Sequence, residues 1–263
     1  MNEITKGASD LKAKAAAVRP PSAAGDELAV SVRDLHKTVA VGFLRRKVEI
    51  LRGVELQVRE GDVFGLLGPN GAGKTTTLKI VLGLMRPSAG SVSLNVNGRA
   101  EVGYLPENAY FYDYLSGREL PMFCGRLFGL PAAERRERSQ RLLEQVGLEK
   151  AADVQLRKYS KGMLQRVGIA QALINDPRLV FLDEPMTGLD PVGRVEVKRI
   201  IQSLGEQGKT VLFNSHILSD VSELCSQIAI MRQGRVLWQG AVDEAKPSHG
   251  ATLEDFFMEV VTQ

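Results

Sequence analysis

Residues 68–75 read Gly68-Pro69-Asn70-Gly71-Ala72-Gly73-Lys74-Thr75. The stretch fits the pattern G-x-x-x-x-G-K-[ST], a loop that wraps the phosphates of a nucleoside triphosphate. Its glycines permit backbone angles that let successive N–H groups converge on one anion. Lys74 adds a charge that can reach the β- and γ-phosphates, and Thr75 offers a hydroxyl to Mg²⁺. We therefore predict that residues 68–76, ending at Thr76, bind a nucleotide.

The segments on either side of this loop support the same interpretation. Val63–Leu67 is a short apolar run of strand type. After the loop, Leu78, Val81, Leu82 and Met85 fall at i, i+3, i+4 and i+7, the spacing of an amphipathic helix. A helix N-terminus favours phosphate, so strand, glycine loop and helix together form the context that the motif needs.

The composition is that of an ordinary globular protein with a sizeable core. The chain has 263 residues, of which 44% are hydrophobic and 25% are charged. A net charge of +3, from 34 basic and 31 acidic residues, is too balanced to indicate a nucleic-acid partner. No apolar run approaches the ~20 residues that cross a bilayer, so we expect any action at a membrane to require a partner. Cys124 and Cys225 are expected to be reduced thiols.

The pattern along the chain divides it into an extension, a core with an insertion, and a tail. Residues 1–26 lack large apolar side chains and predict a flexible N-terminal extension. Residues 27–240 predict one α/β domain, in which a helical block at about 114–175 interrupts strand-like segments. Residues 241–263 predict a helical tail, which either docks on the core or contributes to a dimer contact.

A second motif lies at the end of the strand-like run Leu179–Leu182, which is followed by Asp183 and Glu184. An Asp at the C-terminal edge of a parallel strand beside a phosphate loop is a position that holds Mg²⁺. The adjacent Glu184 is suited to act as general base for an attacking water. Alone, an Asp-Glu pair is often a solvated strand end, but the phosphate loop makes the catalytic interpretation strong.

A third motif, Tyr159-Ser160-Lys161-Gly162-Met163, opens a predicted helix. With it, the set of motifs resembles the ATP-binding cassette (ABC) ATPases of membrane transporters. In that family the corresponding signature usually reads Leu-Ser-Gly-Gly-Gln and binds the γ-phosphate held by the other subunit. Ser160 and Gly162 match this pattern. Tyr159, Lys161 and Met163 depart from it, in a manner similar to one exporter-type branch.

The remaining family motifs follow in order. Thr187–Pro191 resembles the D-loop, with Asp190 as its carboxylate, and Asn214–His216 resembles the H-loop, whose histidine contacts the γ-phosphate. The Gln of the family's Q-loop is replaced by Glu107, a carboxylate that can still ligate Mg²⁺ or orient water. The resemblance implies an α/β P-loop NTPase core with a mixed β-sheet, an N-terminal antiparallel β-subdomain and an inserted α-helical subdomain.

The resemblance also implies a mechanism. Two copies, or one copy and a related ABC ATPase, are expected to sandwich two ATP molecules, each between one subunit's phosphate loop and the other's Ser160 and Gly162. Hydrolysis is expected to use Mg²⁺, with Glu184 activating water and His216 and Glu107 sensing the γ-phosphate. A separate transmembrane permease is the expected partner, with the chain peripheral on the cytoplasmic face of the membrane and the exporter-like variants favouring export.

Several features leave alternatives open. Relatives stack adenine on an aromatic residue, but here Lys37-Thr38 is followed by Val39, and Phe43 lies nearby. The aromatic cluster from Tyr104 to Tyr114 either receives the permease or fills the joint between core and helical block. A soluble ABC protein acting on ribosomes or DNA and a weakly hydrolysing regulatory subunit are the competing functions. A kinase or GTPase fits less well, because neither accounts for the Ser160 and His216 motifs.

Overall fold

The computed structural model describes residues 27–42, 46–245 and 252–262. The predicted extension at 1–26, Phe43 and His249 lie outside the described residues. The strands are β1 (Leu28–Val41), β2 (Arg46–Arg59), β3 (Val63–Leu67), β4 (Ala89–Leu94), β5 (Val102–Leu105), β6 (Leu179–Asp183), β7 (Thr210–Ser215), β8 (Gln227–Arg232) and β9 (Arg235–Ala241). The helices are α1 (Lys74–Val81), α2 (Glu119–Leu127), α3 (Ala132–Gln145), α4 (Lys161–Leu173), α5 (Pro191–Glu206), α6 (Leu218–Leu224) and α7 (Leu253–Thr262).

Two sheets organise the described residues. The central sheet has the order β5-β6-β7-β3-β8-β9, parallel throughout except for the antiparallel edge strand β9. Strands β6 and β7 are buried at every residue, as expected for parallel strands covered on both faces. The second sheet, β2-β1-β4, is antiparallel. The predicted mixed sheet and antiparallel β-subdomain are both confirmed.

The helical block lies between β5 and β6 and consists of α2, α3 and α4. Two i,i+4 ion pairs lie along α3, with Glu134 and Arg138 2.6 Å apart and Glu137 and Arg141 3.7 Å apart. The block packs on the central sheet through the buried side of α4, which includes Val167 and Ala170. The predicted inserted helical subdomain is confirmed.

Two local expectations were wrong, and one strand was not predicted. The predicted amphipathic helix ends at Val81, so Met85 is not on it; the backbone N–H groups of Leu84 and Met85 both turn back to the carbonyl of Lys79 at 2.8 and 3.0 Å. Residues 86–90, which contain Pro87 and Gly90, predict a turn, but strand β4 already begins within them at Ala89. The segment Val102–Leu105 forms a strand that the sequence pattern did not predict, because four residues with one glycine carry little periodicity.

The tail helix α7 docks on the core. Leu253 and Phe256 are buried, and the Phe256 ring meets Trp238 of β9 edge to face, with 5.1 Å between ring centroids. This arrangement agrees with the simpler of the two accounts of the tail. None of the described helices is long and apolar enough to span a bilayer.

The turn between β8 and β9 is hydrogen-bonded to the phosphate loop. The Gly234 N–H donates to the Ala72 carbonyl at 2.9 Å, and the Gly234 carbonyl accepts from the Arg52 N–H at 2.8 Å. Gly234 has φ of +79°, and a Cβ there would lie 2.1 Å from the Ile50 carbonyl oxygen. Only glycine fits this position without moving the backbone.

We expect Gly234→Ala to destabilise the protein more than Gly208→Ala, its matched control. Gly208 also has positive φ, at +75°, but a Cβ there meets nothing within 4 Å. Gly208→Ala should therefore cost about 1 kcal/mol from left-handed strain alone. Gly234→Ala should cost about 3 kcal/mol and also weaken ATP binding, because the clash displaces the turn that holds the loop. Denaturant unfolding and nucleotide titration measure both effects; equal costs would contradict the packing argument.

Candidate functional site

The predicted catalytic motifs meet at one edge of the central sheet. Strands β3, β5, β6 and β7 are parallel, so their carboxyl ends lie side by side. The phosphate loop follows β3, Asp183 ends β6, and His216 directly follows β7. Such an edge is where ligands bind in open α/β sheets.

The phosphate loop leads directly into α1. Gly71 and Gly73 have left-handed φ values of +81° and +108°, which explains why glycine stands there. Lys74, the first residue of α1, is 6% exposed. Its amine donates to the Gly68 carbonyl at 2.7 Å and lies 3.6 Å from Oε1 of Glu184. The loop therefore presents a positive charge beside the Glu184 carboxylate.

Asp183 is buried, with 1% of its surface exposed. Its Oδ1 accepts hydrogen bonds from the Thr75 hydroxyl at 3.1 Å and from the Asn214 amide at 2.7 Å. Burial raises the pKa of Asp183 above the ordinary value for aspartate, and the two hydrogen bonds oppose that rise. Within the described part of the chain, Oδ1 of Asn214 is buried without a hydrogen-bond partner.

The oxygen donors of this edge suit Mg²⁺. Mg²⁺ is typically held by one or two protein groups together with substrate phosphates, and the Thr75 hydroxyl and Asp183 carboxylate are hard oxygen ligands of that kind. No group of three or more His, Cys, Asp or Glu among the described residues could cage a metal by itself. The donor set therefore fits an ion shared with a bound nucleotide.

Glu184 is held by three side chains. Oε2 accepts the Thr187 hydroxyl at 3.0 Å and lies 2.8 Å from Nδ1 of His216, while Lys74 faces Oε1. Its backbone has φ of +52°, a left-handed value that is uncommon outside glycine. A carboxylate fixed in this way, at the end of a strand and 9% exposed, can accept a proton from a positioned water.

The structure does not bring every predicted residue to this cluster. The Ser160 hydroxyl caps α4 by accepting the Met163 N–H at 3.2 Å, and Asp190 caps α5 by accepting the Gly193 N–H at 2.7 Å. The two helix starts are adjacent, since a Cβ on Gly162 would lie 3.9 Å from the Gly193 Cα. Neither cap has a hydrogen bond to the phosphate loop among the described residues.

Glu107 and Val39 lie at the periphery of the predicted site. Glu107 is exposed, two residues beyond β5, on the same sheet edge as Asp183. Val39 is half-buried and stands opposite Val48 across β1 and β2, and Val48 is 41% exposed. The described residues thus place an aliphatic pair, and no aromatic ring, at Val39 and its cross-strand partner.

Sequence reasoning missed two supporting side chains, the Asn214 amide on Asp183 and the Thr187 hydroxyl on Glu184. Asn214 lies at the end of the strand that follows β6 in the sheet, opposite Asp183 in register. Polar residues at the ends of neighbouring parallel strands were the available signal. Thr187 carried none, because its contact depends on the turn after Glu184.

The comparisons with known proteins agree with these motifs. Residues 51–187 match the family model described as ABC transporter. The chain belongs to the ABC transporter family of ATP-binding proteins. This finding confirms the resemblance and the fold class inferred from the sequence.

Curated relatives extend the match over most of the chain. An uncharacterized ABC transporter ATP-binding protein of Synechocystis sp. is 51% identical over 239 residues, covering 88% of this chain and 67% of that protein. The Nod factor export ATP-binding protein I of Ralstonia nicotianae is 41% identical, covering 74% and 63% respectively. A daunorubicin resistance ATP-binding protein of Streptomyces coeruleorubidus is 38% identical, covering 78% and 67%.

Solved structures give the same result. An ATP-binding subunit of an ABC transporter superposes with a TM-score of 0.76 at 30% identity, covering 88% of this chain and 99% of that chain. A dimeric ATP-binding cassette in a post-hydrolysis state with ADP and Pi superposes with a TM-score of 0.72 at 25% identity, covering 81% and 98%. The chain is therefore an ABC-type ATP hydrolase, the ATP-binding subunit of a transporter.

We expect Asp183→Asn to stabilise the free protein while removing its activity. The substitution keeps the oxygen that accepts both hydrogen bonds and removes a desolvated charge whose pKa is raised. A raised carboxyl pKa means that the charge opposes folding at neutral pH, so its loss should raise Tm by about 2–4 °C, equivalent to about 1 kcal/mol.

Asp176→Asn is the matched control with the opposite sign. The Lys209 amine bonds Asp176 at 2.6 Å and lowers the pKa of that carboxyl, so its charge favours folding. Thermal unfolding without nucleotide should show Tm unchanged or lowered for this variant. A lowered Tm for Asp183→Asn would contradict the desolvation argument.

Proposed function

We propose that this chain hydrolyses MgATP in a site completed by a second ABC cassette, and that the closure drives export through a separate permease. The observation that carries the proposal is the set of three side chains, Lys74, Thr187 and His216, around Glu184. That set positions a base beside a phosphate loop. Ser160 and Gly162, which the family pattern assigns to the γ-phosphate, are instead the start of a separate helix.

Within one chain, the residues at this edge of the sheet have different roles. The loop N–H groups and Lys74 bind the phosphates, and Thr75 and Asp183 hold Mg²⁺, which neutralises phosphate charge when bound. Glu184 accepts a proton from the attacking water, and its bonds to Thr187 and His216 keep the carboxylate oriented. His216 and Glu107 respond to the γ-phosphate.

The second half of the site comes from another cassette. Ser160 is the N-cap of α4 and Gly162 lies in its first turn, where the helix dipole favours an anion. Their approach to a nucleotide held by another subunit would make ATP part of the interface. Binding of ATP then favours the closed dimer, and hydrolysis releases it.

We expect Glu184→Gln to lower kcat at least about 100-fold and to accumulate an ATP-dependent dimer. The amide keeps the shape of the side chain but cannot accept the proton of water. Light scattering after size-exclusion chromatography, with and without MgATP, measures the doubling of mass. A variant that hydrolyses ATP at the wild-type rate would contradict the assignment of Glu184.

Two further substitutions in the Glu184→Gln background separate the halves of the site. Ser160→Arg should abolish the dimer and leave binding of a fluorescent ATP analogue within about twofold, because Ser160 does not contact its own phosphate loop. Lys74→Met should abolish both the dimer and the binding of the ATP analogue. Loss of nucleotide binding with Ser160→Arg alone would show that the signature acts within its own chain.

An exposed apolar surface supports the permease contact. Tyr110, Tyr112 and Leu127 are 99%, 66% and 72% exposed, and the Tyr112 ring meets Phe123 edge to face at 5.6 Å. We call Tyr110, Tyr112, Tyr114, Phe123 and Leu127 the aromatic patch. Exposed aromatic side chains are typical of binding surfaces, whereas Phe111, next to them in sequence, packs against the core. The name of the Nod factor export relative supports export. Peripheral attachment at the cytoplasmic face is part of the same proposal.

We expect Tyr112→Ala with Phe123→Ala to reduce membrane recruitment at least about tenfold, since aromatic anchors dominate such contacts. Hydrolysis by the purified chain should stay within about twofold, because neither side chain touches the site. The measurement is the fraction of tagged chain that sediments with membranes of its own cells. Leu84→Ala, at a residue 60% exposed outside the aromatic patch, is the control and should have no effect. Equal membrane recruitment of the double variant and the wild type would contradict the assignment of the aromatic patch.

A further inference from the structure

A buried ion cluster lies between α5 and α6, away from the phosphate loop. Asp220 is 1% exposed, and both of its carboxylate oxygens accept from Nη2 of Arg194 at 2.8 Å. The Lys198 amine lies 3.5 Å from Oδ1 of the same carboxylate and also pairs with Glu223. One buried anion thus faces two cations, Arg194 and Lys198, which stand four residues apart on one face of α5.

The cluster joins the two motifs that flank the catalytic glutamate. Arg194 is in the first turn of α5, and its backbone N–H donates to the carbonyl of Asp190 in the D-loop at 3.0 Å. Asp220 is in α6, which begins two residues after His216. The Arg194–Asp220 contact therefore ties the start of the D-loop helix to the helix that follows the H-loop.

His216 lies between β7 and α6, two residues before α6 begins. Its side chain is 43% exposed, so packing alone does not fix the imidazole that contacts Glu184. Helix α6 has only seven residues and is anchored to the core through Val221 and Leu224. A short helix of this kind gains little from its own hydrogen bonds, so a tertiary contact must set its angle.

The cluster is better explained by positioning than by stability. Burying a carboxylate costs more free energy than a surface ion pair contributes to stability. Proteins in which apolar side chains replace a buried ion pair are often equally stable. What such a pair does supply is direction, because each Asp220 oxygen must face the same guanidinium nitrogen. That requirement constrains the angle between α5 and α6, and α6 begins two residues after His216.

We propose that Asp220 is a positioning residue, which together with Arg194 holds His216 against Glu184 and links that contact to the D-loop. The inference rests on the proposed function, since it assumes that His216 assists hydrolysis. Asp220→Asn should lower kcat about tenfold, with KM for ATP within about twofold, because the phosphate loop is untouched. Arg194→Met removes the opposite partner and should have the same effect, which provides a second variant if one fails to fold.

A double-mutant cycle separates positioning from general damage. In a His216→Ala background, measured by single-turnover hydrolysis with excess protein, Asp220→Asn should change the rate by less than about twofold, because its effect already passes through His216. A tenfold loss in both backgrounds, or a lowered Tm with unchanged kcat, would overturn the proposal. A wild-type rate for His216→Ala alone would instead reject the role of His216 in the proposed function.

A spectroscopic readout tests the geometry without activity. The chain has three histidines, so the imidazole signals are assignable by substitution. Asp220→Asn should shift the ¹H–¹³C imidazole signal of His216 and leave that of His36 in place. Glu223→Gln is the matched control, since Glu223 is on α6 and binds Lys198 but is 54% exposed. It should keep kcat within about twofold and leave both signals unchanged; an unmoved His216 signal in Asp220→Asn would overturn the proposal.

Discussion

The hydrogen bond from the Thr75 hydroxyl to the Asp183 carboxylate joins two motifs that are 108 positions apart in the sequence. It exists because β3 and β6 run parallel on either side of β7, which brings the first residues of α1 beside the end of β6. The Asn214 amide donates to the same Asp183 oxygen, so the intervening strand β7 also takes part in the contact. Sheet order therefore decides which side chains meet, since a different order would separate Asp183 from the phosphate loop.

Much of this arrangement could be predicted from the sequence. The phosphate loop and the Asp183-Glu184 strand end are local patterns, and each constrains its own flanks strongly. The order of the motifs along the chain, which resembles that of the ABC family, predicted the mixed sheet, the antiparallel subdomain and the helical insertion. All three are present. Residues such as Ser160 and Asp190 were recognised in the same way, and both prove to be helix caps, so local structure alone explains part of their sequence preference.

The rest could not be predicted, because it depends on packing between distant segments. Gly234 must be glycine because a Cβ there would clash with the Ile50 carbonyl of β2. No sequence pattern near Gly234 indicates that contact. The Thr187 hydroxyl reaches Glu184 only after the chain turns at a left-handed residue. Asp220 is an ordinary helical carboxylate in sequence, and only the structure reveals that it is buried between two cations. The pairing of Val39 with Val48 across β1 and β2 is a further case.

The central claim is that one chain carries two halves of different sites. Its most direct test is a cross-link between chains, one with Ser160→Cys and the other with Asn70→Cys, in a background with Cys124 and Cys225 replaced by serine. With a short bismaleimide, we predict a covalent heterodimer that forms only with MgATP and in the Glu184→Gln background. Cross-linking within a single chain carrying both substitutions at high dilution, or none between chains, would contradict the account.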